Sequence, residues 1–308
     1  MRRLNRAHPS AVLLPGNEAG IGPYVRALRP HQWLKNLLVA LPVVAAHDYS
    51  PTMLLTVVVA FVSFSLCASS VYLINDMLDL PHDRAHAEKR HRPFAAGIVP
   101  IRHGVGLFTL TASLALATAL LLPWPFLLAI SGYFTLSMAY ATFLKRKLMI
   151  DVVALAALYG IRVLAGGAAT GIILSDWLVG FCFFMFLSLA LVKRATEIIA
   201  LPEAEAGALK GRGYRSGDLP IIQALTAASG LVAVLVLALY INSPEVKLLY
   251  SRPELLWGMC LILVYWLGRV FFLTGRGEMQ QDPVIFAVTD RNSLLSGAVV
   301  GLVFLLAV

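Results

Sequence analysis

Residues 51–84 read PTMLLTVVVAFVSFSLCASSVYLINDMLDLPHDR: an uncharged apolar run to position 74, then Asn75, Asp76, Asp79 and Asp83 within nine positions. About 20 apolar residues are what a helix needs to cross ~30 Å of hydrocarbon. The first part therefore reads as a membrane span, and the second sets acids at its end. On a helix, Asn75, Asp79, Asp83 and Asp76 fall at about 0°, 40°, 80° and 100°, so four oxygen-bearing side chains share a face. Pro81 should kink or stop that helix near Met77–Leu80, leaving Asp83 to reach in from a loop. Three converging carboxylates repel one another unless a cation sits between them. Hard oxygen donors in this number suit Mg²⁺, with water and substrate phosphates completing its shell. The plain alternative is an acidic loop in water, but polar residues this close to a span end are usually functional.

Working outward, the 308 residues are 59% apolar and 14% charged, with a mean hydropathy of +0.78. A soluble chain carries about 25% charged residues. A water-soluble globule, a disordered regulator and a disulfide-stapled domain are excluded. Cys67, Cys182 and Cys260 lie far apart inside apolar runs and read as packing residues. Cutting at charged and Gly/Pro-rich breaks leaves about nine candidate spans, at 32–46, 51–74, 102–122, 125–144, 151–170, 177–196, 219–241, 254–273 and 292–308. The fold class is all-α: a polytopic membrane helical bundle, with residues 1–31 as an N-terminal segment and 32–308 as a single transmembrane domain.

Lysine and arginine fix the expected orientation. Of 25 such residues, only Lys247 and Arg252 fall on one side and Arg162 lies within a span; the rest gather on the other side. The positive-inside rule makes that side, with the N-terminus and the long loops 75–101, 197–218 and 274–291, cytoplasmic. The expected location is the inner cell membrane. The start MRRLNRAHPS is basic but no long apolar core follows, so it does not read as a signal peptide. The net charge of +8 speaks to topology and acidic lipid headgroups, and nucleic acid is a poor partner for it. Oligomerisation is left open.

The pattern N-D-x-x-D-x-x-x-D after the second span resembles the first aspartate-rich motif of the UbiA superfamily of intramembrane prenyltransferases. Three further blocks are similar to its decaprenyl-phosphate phosphoribosyltransferase branch: Arg29-Pro-His-Gln-Trp-Leu-Lys35-Asn36, Lys89-Arg-His-Arg92-Pro93-Phe-Ala-Ala-Gly97, and Ile161-Arg162-Val-Leu-Ala-Gly166-Gly167-Ala-Ala-Thr170. The resemblance implies a UbiA-like bundle in which Asn75, Asp76, Asp79 and Asp83 hold Mg²⁺ against a substrate diphosphate, with Asp76, Asp79 and Asp83 as the catalytic acids. It also places Lys35 near the substrate phosphates; beside Gln32 and Trp33, Lys35 and Asn36 read equally well as an interfacial anchor. Lys89, Arg90 and Arg92 follow the acids and read either as closing over a diphosphate, Arg92 before Pro93 above all, or as plain topology determinants. His82, His86 and His91 have spacings a zinc ion could meet, but the acids and cations around them suit magnesium and phosphate better.

Donor identity turns on other positions. Ordinary UbiA prenyltransferases carry a second aspartate-rich motif after span six, where this chain has Lys193-Arg194-Ala-Thr-Glu197. That replacement favours a donor or acceptor with extra anionic charge, since arginine grips phosphate bidentately and lysine acts as a point charge. Positive-inside decoration is the bland reading of Lys193 and Arg194. Arg162 lies 11 residues after Asp151, about 16 Å deeper and on nearly the same helix face, with Tyr159 a turn away. An arginine at that depth should face the bundle interior, so Asp151, Tyr159 and Arg162 read as pocket-lining, with a structural ion pair as the alternative. Gly166 and Gly167 should allow close helix packing. Tyr214, in Gly211-Arg-Gly-Tyr214-Arg215-Ser-Gly217, sits in a glycine-rich loop suited to a lid. Asp282-Pro283 reads as a turn, and Asp290 as the cap of the last span.

Together these readings favour Mg²⁺-dependent transfer of 5-phosphoribose from phosphoribosyl diphosphate to a polyprenyl phosphate, with release of diphosphate. The alternative is an ordinary prenyl transfer from a prenyl diphosphate to an aromatic or other acceptor. A lipid or anion transporter is a third class. It would need ionisable residues spread through the membrane midplane and internal repeats, and only Arg162 lies at such depth.

Overall fold

The structure, a computed structural model, describes residues 20–85, 89–201, 207, 211–279 and 282–308. Arg2, Arg3, Arg6, His86, Glu203, Glu205 and Lys210 lie outside the described residues. Among the described residues the helices are α1 (Gly22–Leu28), a 3₁₀ helix (Pro30–Ala40), α2 (Leu41–Ala46), α3 (Pro51–Leu78), α4 (Leu80–Ala85), α5 (Ile101–Ala119), α6 (Trp124–Thr142), α7 (Ile150–Thr170), α8 (Asp176–Ile199), α9 (Leu219–Ile241), α10 (Pro244–Leu249), α11 (Trp257–Gly275), α12 (Pro283–Thr289) and α13 (Arg291–Ala307).

Each of the nine stretches expected to span carries helix. Five helices, α3, α7, α8, α9 and α11, are long and apolar enough to cross a bilayer, and α12 with α13 forms a sixth unit bent by 76°. The stretch 32–46 is divided between the 3₁₀ helix and the short α2, and α5 and α6 are 19 residues each, diluted by Thr, Ser and Gly. Leucines such as Leu55, Leu121, Leu261 and Leu305 stand exposed on the outside of the bundle, the surface a bilayer covers.

Between helices the residues are small. Ala60, Ser63, Ser65, Ala68, Ser69 and Ser70 are buried along α3, which lets neighbouring backbones approach. The Ser63 hydroxyl donates to the Ala115 carbonyl at 2.9 Å, and Ser188 to the Thr226 carbonyl at 2.9 Å, tying α3 to α5 and α8 to α9. One apolar cluster joins α3, α5, α6 and α7 through Phe64, Phe126 and Tyr133. A second joins α8, α9, α11 and α13 through Met185, Ala233 and Leu267. A layer of Tyr159 and Phe186 lies between α7 and α8.

The 3₁₀ helix is the element that positions the site. Pro30 opens it, and Arg29 precedes it in the left-handed region at φ 53°. It lies against α7 at Gly166, where an added Cβ would collide with the Val39 carbonyl oxygen. Gly166→Ala should therefore destabilise the fold by about 1–3 kcal/mol through overpacking. Thermal unfolding in detergent would show it; an unchanged midpoint would mean the 3₁₀ helix moves aside freely.

Candidate active site

The acidic segment is built by a helix that stops. Asn75 and Asp76 ride on the last turn of α3, Asp79 is its C-cap, and Pro81 starts α4, which carries Asp83. Asp76 and Asp83 are buried, at 4% and 3% exposure. Arg92 bridges them, its Nη1 lying 3.2 Å from Asp76 Oδ1 and 2.7 Å from Asp83 Oδ2. Arg29 donates to the same Asp76 oxygen at 2.5 Å. Asp79 is turned away, with its carboxylate 44% exposed and 3.5 Å from Lys145. The structure thus brings two of the three acids together and directs the third to another cation. Asn75 Oδ1 is buried without a hydrogen-bond partner. Lys89 is exposed, and its carbonyl accepts from the Arg92 N–H at 3.0 Å.

A second network lies where α7, α8 and the loop at 211–215 meet. Arg194 is fully buried, and its Nε is 2.8 Å from Asp151 Oδ2, itself fully buried. Its Nη1 pairs with Glu197, and its Nη2 donates to the Tyr140 hydroxyl at 3.1 Å. Arg212 donates to the same hydroxyl at 2.9 Å and comes within 3.8 Å of Asp151. Tyr214 donates to Asp151 Oδ1 at 2.7 Å and accepts from the Met149 N–H at 3.2 Å. Gly213 makes that docking feasible, because a Cβ there would meet the Leu148 N at 2.7 Å. Burial, then the Asp151 carboxylate, raises the Tyr214 hydroxyl above the ordinary tyrosine range. Expected as a lid residue, Tyr214 is instead a buried tie between loop and helix.

A third group lies along the 3₁₀ helix. Arg162 Nε donates to Asn36 Oδ1 at 2.9 Å, Nη2 donates to the Tyr133 hydroxyl at 3.2 Å, and Nη1 bonds the Leu158 carbonyl. The rings of Tyr133, Tyr159 and Phe64 surround it at 4.8, 5.6 and 5.8 Å. Among the described residues no carboxylate pairs with Arg162, so its charge is only partly compensated. Asp151, expected on the same pocket wall, faces Arg194 instead. Lys35 is buried, forms an ion pair with Asp282 and lies 5.8 Å from the Tyr159 ring centre. Lys193 lies within the field of the same Asp282 carboxylate.

Asp282 was read as a turn residue and is more than that. Its Oδ1 caps α12 through the Val284 and Ile285 N–H groups, while Oδ2 holds Lys35. Burial alone would raise its pKa, but Lys35 and Lys193 outweigh that and hold the carboxyl below its usual range. Arg29, Asn36, Tyr133, Tyr140 and Arg212 are further residues that the sequence reading did not count. Arg29 and Asn36 bracket the motif quoted for Lys35; the others carry no local signal.

A sequence profile of the UbiA prenyltransferase family matches residues 36–286. The chain belongs to that family. A nodulation protein, NoeC, of Azorhizobium caulinodans is 33% identical over 92% of this chain and 93% of its own length. A decaprenyl-phosphate phosphoribosyltransferase of Mycolicibacterium smegmatis is 37% identical over 68% of this chain and 67% of its own. An uncharacterised protein of Sinorhizobium fredii is 34% identical over 96% of this chain, which spans 58% of that protein's length. Among solved structures, a UbiA homologue from Archaeoglobus fulgidus bound to GPP and Mg²⁺ superposes with a TM-score of 0.68, covering 92% of this chain and 98% of that one at 18% identity.

The residues present fit a divalent cation of the UbiA kind. Among the described residues no three of His, Cys, Asp and Glu form a ready-made cage. A magnesium ion needs less, since it commonly takes one or two carboxylates and fills its shell with water and phosphate oxygens. The unpartnered Asn75 oxygen beside the buried Asp76 and Asp83 carboxylates supplies that donor set.

Proposed function

We propose that this UbiA-family transferase moves 5-phosphoribose from phosphoribosyl diphosphate to a polyprenyl phosphate and releases diphosphate. The observation that carries the reading is the cation surplus beside the acidic cluster. Lys35 pairs with Asp282, Lys193 stands between the fields of Asp282 and Glu197, and Arg162 has no carboxylate partner among the described residues. A substrate pair bearing phosphates beyond the leaving diphosphate matches that charge better than a prenyl diphosphate with an aromatic acceptor. Similarity to the decaprenyl-phosphate phosphoribosyltransferase of Mycolicibacterium smegmatis supports the same choice.

In the reaction a lipid phosphate oxygen attacks C1 of the ribose as the C1–O bond to diphosphate breaks. The nucleophile is already anionic, so no strong general base is required. A divalent cation held by Asn75, Asp76 and Asp83 would neutralise charge growing on the departing diphosphate. Arg92, which bridges Asp76 and Asp83, and Arg29, which shares the Asp76 oxygen, would follow the diphosphate oxygens. At the other end of the bundle an apolar cavity of about 700 Å³, lined by Leu41, Trp177, Phe181, Tyr250 and Phe304, suits an isoprenoid tail. By the positive-inside argument the charged end faces the cytoplasm, where a soluble sugar diphosphate is available.

The test is transfer of radiolabel from phosphoribosyl diphosphate into organic-extractable lipid, on membranes expressing the chain with polyprenyl phosphate and Mg²⁺. Label in the lipid phase, absent when Mg²⁺ is chelated, is the expected result. Consumption of prenyl diphosphate with an aromatic acceptor, and none of phosphoribosyl diphosphate, would overturn it in favour of ordinary prenyl transfer.

A further inference from the structure

Asp282 stands at the head of α12, which packs on both the 3₁₀ helix and α8. One carboxylate oxygen is fixed by the α12 cap, and the other takes the buried Lys35 ammonium. Lys193, on α8 against which α12 packs, lies in the electrostatic field of this carboxylate and of Glu197. The position also leads somewhere. Lys35 lies over the Tyr159 ring, Leu41, Leu178 and Phe181 pack in the layer around that ring, and the same three residues line the apolar cavity. A molecule with its phosphate at the lysines would therefore have its apolar part directed through one side-chain layer into the cavity.

Resting on the reading that the acceptor is a polyprenyl phosphate, we propose that Lys35 and Lys193 form the subsite for the acceptor's phosphate, and that the Asp282 carboxylate is its internal placeholder. A carboxylate and a phosphomonoester offer the same charged oxygens to an ammonium, but the phosphate carries about −1.5 to −2 charges and answers both lysines. Displacement frees only the oxygen bound to Lys35, and the α12 cap stays. Between visits the acid spares the bundle an uncompensated buried ammonium at Lys35. Asp282 is thus a positioning residue, holding Lys35 directly while its charge acts on Lys193.

The experiment is steady-state transfer with each substrate varied in turn, for wild type, Asp282→Asn and Lys193→Met. Asparagine keeps the helix cap but cannot compete as an anion. Asp282→Asn should lower the acceptor KM by about fivefold or more, and Lys193→Met should raise it by about tenfold or more, with the donor KM within about twofold in both. An acceptor KM that is unchanged or raised in Asp282→Asn would overturn the placeholder. Shifts falling on the donor KM would overturn the assignment and give the subsite to the donor's 5-phosphate. Should Asp282→Asn fail to fold, thermal protection decides. A short-chain prenyl phosphate should raise the unfolding midpoint of wild type where the matched prenyl alcohol does not, and Lys193→Met should erase that difference. Equal protection by both lipids would overturn the proposal. This arm uses no donor, so it still judges the subsite if wild type transfers no phosphoribose and the proposed function itself fails.

Discussion

Replacing Asp76 with alanine is expected to lower turnover by about 10²–10³-fold or more, the scale seen when one electrostatic partner of a developing charge is removed. Asp76 is the shared point of the acidic cluster: a buried carboxylate that accepts from Arg29 at 2.5 Å and Arg92 at 3.2 Å, one residue from the unpartnered Asn75 oxygen. Its removal takes a ligand from the proposed cation and leaves two guanidinium groups without their common anion. Added Mg²⁺ should not restore the rate, because Arg29 and Arg92 then lose the anchor that aims them at the diphosphate. Initial rates over a range of Mg²⁺, on protein whose unfolding midpoint is checked alongside, measure this. A rate within tenfold of wild type in the folded variant would remove Asp76 from the site. As a control outside the site, Asp290→Ala breaks the bidentate Arg269 pair at 2.7 and 3.1 Å and the α13 cap. It should cost about 1 kcal/mol of stability and leave the rate near wild type.

Arg194→Met is expected to be the most destabilising single change, at about 3–5 kcal/mol. The guanidinium is fully buried and is held by Asp151, Glu197 and the Tyr140 hydroxyl, so its loss leaves the buried Asp151 carboxylate with only the Tyr214 hydroxyl and the more distant Arg212. Arg194→Lys should recover little, because one ammonium cannot reproduce the planar fork that reaches three partners from α6, α7 and α8. Adding Asp151→Asn to Arg194→Met should restore part of the loss, and a double-mutant cycle of unfolding midpoints in detergent gives the coupling. Strict additivity would mean the pair is not an interaction that the fold uses. Tyr214 adds a pH direction. Its folded pKa is raised, so its hydrogen bond to Asp151 is fully present at neutral pH and is lost only as pH climbs beyond the ordinary tyrosine range.

Much of the site is legible along the chain. The Asn75-to-Asp83 spacing and Pro81 are local features, and the structure places the helix break where proline requires one. Asp79 departs from the shared face because the helix ends at it, so the 100° rotation that aligned it with Asp83 no longer applies. The depth of Arg162 follows from counting residues, but its partners do not. Asp151 lies on the same face of α7 yet serves Arg194, because about three turns of helix carry it to a level where α8 and the 211–215 loop are its neighbours. Lys193 and Arg194 were weighed as one cationic pair. Being adjacent, they point about 100° apart and divide, one toward Asp282 and the other into the Asp151 network.

The sequence by itself determined the helical class, the stretches that carry helix, the end of the bundle that is charged, and the acidic cluster. Each depends on hydropathy, charge or periodicity within one segment, and such forces act over neighbouring residues. Only the tertiary structure decided that Lys35 meets Asp282 across 247 positions, that Arg162 leans on Asn36 across 126, and that Arg194 is neutralised rather than offered to substrate. Those pairings follow from which helices lie side by side, and small residues such as Gly166 set that arrangement by letting two backbones approach where a side chain would hold them apart.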